Sequence, residues 1–510
     1  MVPDKPVGPG FDIVLASKDA TERLAGDIAD ALQPGDLITL SGDLGAGKTT
    51  FARALIRHLA GDPTLAVPSP TFTLLQTYDT PRFPIAHADF YRLSGAGDLR
   101  ELGLDDLPDD TVVLVEWPDR AAGELSASRL DVALSLLPQR GPDYRTARIT
   151  GTGAFGPRAE RLMKARQFLQ DTGFGDAQRS RMQGDASTRS YDRVTLPDRC
   201  AILMNAPRRP DGPPVRGGKS YSAIAHLAED VTPFVAMARG LRERGFSAPQ
   251  IYGADLDAGL LLLEDLGAGQ VVTGDPPAPI APRYAAAVDV LVALHGQKLP
   301  ARLPVSPGLD YLLPSYDLDA FLIEAELLLD WYLPRQAVTV TSTLRAEFVA
   351  LWSAALQAAE QAEATWVLRD YHSPNLLWLP DRSGLAQVGL LDFQDAVMGP
   401  SAYDLASLLQ DARVDVPEEL ETAQRSRYVV ARRTAESSFD GAAFEALYAI
   451  VAAQRATKIL GIFARLERRD GKPQYLRHMP RVWSYLQRSL AHPALLRLRG
   501  WFDRHVPTPR

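Results

Sequence analysis

Residues 42–49 read Gly42-Asp43-Leu44-Gly45-Ala46-Gly47-Lys48-Thr49, the pattern G-x-x-x-x-G-K-T. This octet follows a short apolar run, residues 37–40, and precedes a stretch in which Phe51, Leu55 and Leu59 recur every four residues. The context predicts a strand, a glycine-rich turn and a helix, in that order. Gly42, Gly45 and Gly47 let the backbone curl so that successive N–H groups face a phosphate at the helix N-terminus, where Thr50 joins the nucleotide-binding set. Lys48 has the charge and reach for the β- and γ-phosphate oxygens of ATP, and the Thr49 hydroxyl suits a Mg2+ ion. Two apolar runs end in carboxylates: Asp89 closes residues 85–88 and Glu116 closes residues 112–115. A carboxylate at a strand end lies at the sheet edge where such sites form, so Asp89 is expected to help hold Mg2+ and Glu116 to orient the attacking water.

Further out, short apolar runs alternate with helical stretches up to about residue 150, an α/β pattern. Gly151, Gly153, Gly156 and Pro157 then cluster before helical spacing resumes at residues 159–172, which places a boundary at residue 155. A hairpin is expected at residues 193–204, a Pro-rich loop at 206–214, and long helices from about residue 281. The expected organisation is thus an α/β P-loop domain over residues 1–155 and an α+β bilobal kinase-like domain over 156–510, with its small lobe near 160–268 and its helical lobe near 269–510. The chain's 510 residues exceed what one hydrophobic core usually serves, in line with more than one domain. A net charge of -8 argues against a large nucleic-acid surface. The single Cys200 forms no internal disulfide, and its place in the apolar run 200–204 predicts a buried thiol. The opening MVPDKPVGPG lacks a signal-peptide pattern, and no uninterrupted apolar run approaches the ~20 residues needed to span a bilayer, so a cytoplasmic protein with no membrane contact is expected.

The second half carries its own chemistry. Leu368-Arg369-Asp370-Tyr371-His372-Ser373-Pro374-Asn375 follows an apolar pair, and Leu390-Leu391-Asp392-Phe393 arrives behind another apolar run. An Asp, an Asn five residues later and a strand-borne Asp-Phe form a kinase catalytic loop: Asp370 can accept the acceptor hydroxyl's proton, and Asn375 and Asp392 can hold Mg2+ against the phosphates. His372, inside this loop, is expected to be a structural hydrogen-bonder, and Asp404 to brace the loop without touching substrate. Glu324 and Glu326 could face either a cationic substrate or solvent, and solvent is expected.

The first half resembles the TsaE-type ATPase of tRNA threonylcarbamoyladenosine modification, through the P-loop, Ser69-Pro70-Thr71-Phe72, His87-Ala88-Asp89-Phe90-Tyr91-Arg92 and Val115-Glu116-Trp117-Pro118. That resemblance implies an ATPase that works with the threonylcarbamoyl transferase and its paralogue, meets tRNA only indirectly, and uses Lys48, Thr49, Asp89, Glu116 and Trp117, with the Ser-Pro-Thr segment as a nucleotide-sensitive switch. The second half resembles the aminoglycoside-phosphotransferase superfamily. Over about residues 160–505 it is similar to kinases of the anomeric hydroxyl of N-acetylmuramate and N-acetylglucosamine, through residues 185–191, 204–207 and 262–267. The resemblance implies an amino-sugar substrate in cell-wall recycling, with Ser187 and Arg189 covering the phosphates, Glu264 in the hinge that holds adenine, Asp370 as base, and Asn375 and Asp392 as metal ligands. Leu368 stands at the superfamily's usual histidine, and Met204 or Asn205 stands near its strand lysine, for which Arg189, Arg193 and Lys219 are candidate replacements. An aminoglycoside or amino-alcohol kinase, or a non-catalytic pseudokinase regulating the ATPase, are the alternatives.

Overall fold

The computed structural model describes residues 10–93, 102–121, 123–182 and 189–509. By internal packing the chain forms two compact units, residues 1–205 and 206–510.

The first unit is built on seven strands, β1 (Gly10–Leu15), β2 (Leu37–Ser41), β3 (Leu75–Tyr78), β4 (Ile85–Asp89), β5 (Val112–Glu116), β6 (Leu130–Leu136) and β7 (Arg145–Gly151), in the order β1-β7-β6-β2-β5-β4-β3. The strands β6, β2, β5 and β4 are parallel, whereas β7, β1 and β3 join antiparallel. Helix α1 (Lys18–Ala31) is capped by the Ser17 hydroxyl, which accepts from Ala20 N at 3.1 Å. Helix α2 (Lys48–Ala60) buries the Phe51, Leu55 and Leu59 stripe in one core with Ile38 and Leu40 of β2. Register sets the functional edge: Leu40 pairs with Glu116 and Asp89 pairs with Glu116, so the P-loop and both strand-end carboxylates meet at the carboxyl edge of the sheet.

Helix α3 (Gly156–Asp171) belongs to this same core. Phe155, Ala159 and Leu162 pack into the cluster that holds Phe51 and Leu55. Arg158 grips Asp36 through two bonds of 2.6 Å, and Arg166 bonds Asp27 of α1. The compact division thus falls fifty residues beyond the boundary expected at 155, because the glycine cluster there is a tight corner, with Pro157 in the first turn of α3, rather than a linker. Three antiparallel strands follow, β8 (Gln178–Arg181), β9 (Ser190–Thr195) and β10 (Cys200–Asn205). Arg179 of β8 lies between Asp27 of α1 at 3.1 Å and Asp192 of β9 at 2.5 Å, tying these strands to the P-loop domain. Cys200 is exposed, not buried: it opens β10 beside the turn, and burial begins only at Ala201. A fragment ending at residue 155 loses Leu162 from its core and leaves the 6% exposed Asp27 without Arg166. Truncation at 155 is therefore expected to destabilise the domain by about 3 kcal/mol relative to a fragment ending at 182, a drop in Tm of at least roughly 5 °C by calorimetry.

In the second unit a hairpin of β11 (Ile251–Asp255) and β12 (Leu260–Leu263) precedes a largely helical body containing α4 (Leu318–Ala325), α5 (Ala402–Leu409) and α6 (Gly441–Asp470). Within that body β13 (Ala364–Val367) pairs with β16 (Val397–Pro400), and β14 (Leu376–Trp378) pairs with β15 (Val388–Leu390). The segment 368–375 bridges β13 to β14, and Asp392 follows β15, so two short antiparallel pairs present both motif segments. Among the described residues α6 is the one helix long and apolar enough to cross a membrane, and its apolar window is 78% buried in the fold, which makes it a core helix. Glu324 and Glu326 do not face solvent. Both are buried on α4 or its cap, where Glu324 binds Arg369, Lys458 and the Tyr316 hydroxyl, and Glu326 binds Arg216 and Arg345. Sequence shows them polar, but only tertiary packing supplies the counter-ions: α6 and the 368–375 segment bring Lys458 and Arg369 to Glu324, and two further segments bring Arg216 and Arg345 to Glu326.

Candidate active sites

The first site is a pocket of about 450 Å3 lined by Gly45, Gly47, Lys48, Thr49 and Thr50 on one side and Asp89, Glu116 and Trp117 on the other. Gly42, with φ of 134°, leaves no room for a side chain: an added Cβ would sit 2.1 Å from the Leu134 carbonyl oxygen. Lys48 Nζ donates to the carbonyls of Gly42 at 2.7 Å and Asp43 at 3.0 Å, and lies 3.7 Å from the centroid of the Trp117 ring. Burial lowers the Lys48 pKa, against the opposing pull of Glu116, Asp89 and Asp43. Trp117 has φ of 59° in the left-handed region, which is costly for a bulky residue, and this turn swings its ring from the strand end over the lysine.

The two carboxylates have different company. Thr49 Oγ1 donates to Glu116 Oε2 at 3.0 Å, and the buried His87 Nε2 lies 3.1 Å from Glu116 Oε1. Asp89 Oδ2 accepts from Ser69 and Thr71 at 3.0 and 2.8 Å, and its Oδ1 accepts from Tyr91 N. The Ser-Pro-Thr segment is thus a turn clasped by Asp89, while Glu116 stands against the metal-suited hydroxyl. Nothing in the local sequence distinguishes these two strand ends; sheet order does.

In the second site Asn375 links the motif segments, its Nδ2 donating to the Asp370 carbonyl at 2.9 Å and to Asp392 Oδ2 at 3.4 Å. Asp392 has φ of 57°, Gln394 Nε2 donates to its Oδ1 at 2.8 Å, and Phe393 stacks on Phe234 with centroids 4.9 Å apart. Asn375 touches Asp392 through its amide nitrogen, and its amide oxygen and the Asp392 carboxylate are hard oxygen ligands of the type that could hold Mg2+. Asp370 keeps 41% of its side chain exposed. Desolvation would raise its pKa, but His372 when protonated, together with the permanent charges of Lys458, Arg369 and Arg455, outweighs it and holds the carboxyl below its ordinary value. Behind the loop the fully buried Asp404 accepts from Leu368 N at 2.7 Å and Arg369 N at 2.9 Å, the expected brace. Burial pushes Asp404 up to about 7 despite those two bonds. Its grip on the main chain accompanies the left-handed Arg369, with φ of 66°. His372 differs from expectation. Its Nε2 is 3.8 Å from Asp370 Oδ1, its buried Nδ1 has no partner among the described residues, and burial drives its pKa down to about 4, so it is neutral near pH 7. The loop is braced instead by main-chain bonds and by Asp411, which accepts from Ser373 N and Oγ.

The remaining expected residues are dispersed. Glu264 follows β12, but its carboxylate is taken by Arg382 at 2.5 Å and Arg242 at 3.3 Å, and its amide donates to the Gln250 carbonyl at 2.8 Å. Arg189 immediately precedes β9, Asn205 accepts from Arg161 of α3, and Ser187 lies outside the described residues. Lys458 and Arg455 of α6 were missed in the sequence reading: they lie some eighty residues beyond the catalytic loop, on a helix without a motif.

The family model described as Threonylcarbamoyl adenosine biosynthesis protein TsaE matches residues 15–141, and that described as Phosphotransferase enzyme family matches residues 179–447. The chain is 42% identical over 363 residues, 68% of its length and 98% of the relative's, to the N-acetylmuramate/N-acetylglucosamine kinase of Caulobacter vibrioides. It is 39% identical over 137 residues, 27% of its length and 92% of the relative's, to the tRNA threonylcarbamoyladenosine biosynthesis protein TsaE of Rickettsia bellii. The chain joins a TsaE-family domain to a phosphotransferase-family domain. A second kinase relative, the N-acetylmuramate/N-acetylglucosamine kinase of Pseudomonas aeruginosa, is 33% identical over 310 residues, 60% of this chain and 82% of its own length. The TsaE-family domain holds the P-loop pocket, and the phosphotransferase-family domain holds Asp370, Asn375 and Asp392, so each of two ATP-using families contributes one site to a bifunctional protein. The phosphotransferase-family match begins at Gln178's neighbour Arg179, the residue that ties β8 to helix α1 of the TsaE-family domain.

Proposed function

We propose that the phosphotransferase-family domain transfers the γ-phosphoryl group of ATP to the anomeric hydroxyl of N-acetylmuramate and N-acetylglucosamine, in cell-wall recycling. The observation that carries this reading is the complete set of Asp370, Asn375 and Asp392, linked through Asn375, in a chain that matches a sugar kinase over 98% of that relative. Asp370, held as a carboxylate, accepts the proton of the attacking hydroxyl; a hemiacetal hydroxyl is more acidic than an ordinary alcohol and surrenders it more readily. Asn375 and Asp392 are the residues that would hold Mg2+, and the ion would supply charge neutralisation on the phosphates. The missing strand lysine favours the pseudokinase alternative, and the retained base and both metal ligands favour activity.

For the TsaE-family domain the proposal is ATP hydrolysis in support of tRNA threonylcarbamoyladenosine formation, with the threonylcarbamoyl transferase and its paralogue as partners. Lys48 serves the phosphates, and Glu116 together with Thr49 is proposed for Mg2+, an exchange of roles with Asp89, which instead holds the Ser69 and Thr71 hydroxyls and so can report the nucleotide state to that turn. The contact of Thr49 with Glu116 supports this exchange.

Phosphorus NMR of the product formed from either sugar tests the kinase reading. Phosphate on the anomeric carbon is the expected result; a 6-phosphate would overturn the regiochemistry, and no transfer to either sugar would favour the pseudokinase. Asp392→Ala is expected to weaken Mg2+-dependent nucleotide binding by roughly tenfold or more in titration calorimetry, since it removes a charged metal ligand while Asp370 remains.

A further inference from the structure

Arg455, on α6, is 7% exposed and has neither a hydrogen bond nor an ion pair among the described residues. A guanidinium carries five donors and a permanent charge, and burying it without a counter-ion costs several kcal/mol, so arginines are seldom buried unless paired. Its neighbours show that the fold can pair such cations when pairing is their role. Lys458, one turn along the same face of α6, donates to Glu324 at 2.7 Å, and Arg369 of the catalytic loop shares that carboxylate. Arg455 is left out of this arrangement, although its charge acts on Asp370, His372 and Asp404 at the loop. None of these three is a partner to it. Both oxygens of Asp404 are engaged by the Leu368 and Arg369 amides, His372 is neutral near pH 7, and Asp370, 41% exposed, forms no ion pair with Arg455 among the described residues.

We propose that Arg455 is the acceptor-specificity residue, receiving the carboxylate of an anionic sugar whose hydroxyl is directed at Asp370. The proposal rests on the sugar-kinase reading and deepens it. N-acetylmuramate is N-acetylglucosamine bearing a lactyl ether, so the two acceptors differ by one carboxylate on an otherwise common ring. A cation behind the catalytic loop, on the helix whose Lys458 shares Glu324 with Arg369, completes its coordination with the first sugar and goes without a partner with the second. It also disfavours cationic acceptors such as aminoglycosides and amino-alcohols, which would bring a second positive charge beside an uncompensated one. Arg413, near His372, adds to the same sign of field.

The test compares kcat/KM for N-acetylmuramate, its carboxyl methyl ester and N-acetylglucosamine in the full-length wild type, Arg455→Gln and Arg455→Lys. Arg455→Gln is expected to lower the ratio of N-acetylmuramate to N-acetylglucosamine efficiency at least about tenfold, mostly through the KM for N-acetylmuramate, while Arg455→Lys keeps part of that ratio because it keeps the charge. The methyl ester should follow N-acetylglucosamine in its response. Equal losses on all three substrates, falling in kcat, would overturn the proposal and assign Arg455 to the phosphoryl group. An unchanged ratio in a variant active on N-acetylglucosamine would overturn it as well. A variant that fails to fold loses activity on every acceptor and its cooperative melting transition; Arg455→Lys, retaining size and charge, then supplies the ratio that decides. Wild-type enzyme inactive on both sugars would sink the sugar-kinase reading itself, an outcome distinct from any of these.

Discussion

Lys48→Ala abolishes ATP hydrolysis by the TsaE-family domain, lowering it by at least roughly 10²- to 10³-fold, and leaves sugar phosphorylation within about twofold of wild type. The ammonium group is fixed before any substrate arrives: two carbonyls of the P-loop and the face of Trp117 hold it, and it is only 5% exposed. Negative charge that develops between the β- and γ-phosphates therefore meets a cation that need not reorganise, and a methyl group at the same place offers nothing. The phosphotransferase-family site has its own metal ligands and base, none drawn from the first unit, so its turnover is expected to persist. Phosphate release without sugar, and sugar phosphate formation with it, measure the two activities on one preparation. Joint loss would show coupling between the sites, and survival of both would overturn the P-loop assignment.

Asp370→Asn lowers sugar phosphorylation by roughly 10²- to 10⁴-fold and leaves nucleotide binding intact. The substitution keeps the shape of a partly exposed side chain, and the main-chain carbonyl that accepts from Asn375 is unaffected. What is lost is an acceptor of protons. The direction of the pH dependence follows from the same surroundings. Because cations around Asp370 hold its pKa below the ordinary carboxylate value, the base is already deprotonated near neutrality and stays so as the pH falls toward about 5. The wild-type rate should accordingly show no acid limb from this group between about pH 5 and pH 8, and its loss should begin only as the pH drops through the lowered pKa. A limb near pH 6 to 7 that survives Asp404→Asn, a substitution at the loop brace whose carboxyl is pushed up to about 7, would overturn Asp370 as the proton acceptor.

The division between what could be read from the chain and what could not follows the range of the interactions involved. The P-loop, the Asp370-to-Asn375 spacing and the Asp-Phe after β15 are local instructions: glycines that permit positive φ, a strand that ends in an acid, a donor five residues from an acceptor. Their chemistry is complete within ten residues, so sequence alone was enough to read two ATP-using domains and to single out Lys48, Thr49, Asp370, Asn375 and Asp392 as candidates. Tertiary structure decided everything that depends on a distant partner. Helix α3 belongs to the P-loop core because Ala159 and Leu162 find Phe51 and Leu55 there, a fact the glycine corner before it conceals. Glu116, rather than Asp89, stands at Thr49 because of strand order. Glu324 is buried because Arg369 and Lys458, far apart in the chain, converge on it, whereas hydropathy alone assigned it to solvent. Arg455 is the extreme case. Its residue type is unremarked in a long helix, and only burial without a counter-ion beside Asp370 gives it a function, because the electrostatic cost of that position can be known only once the groups around it are in place.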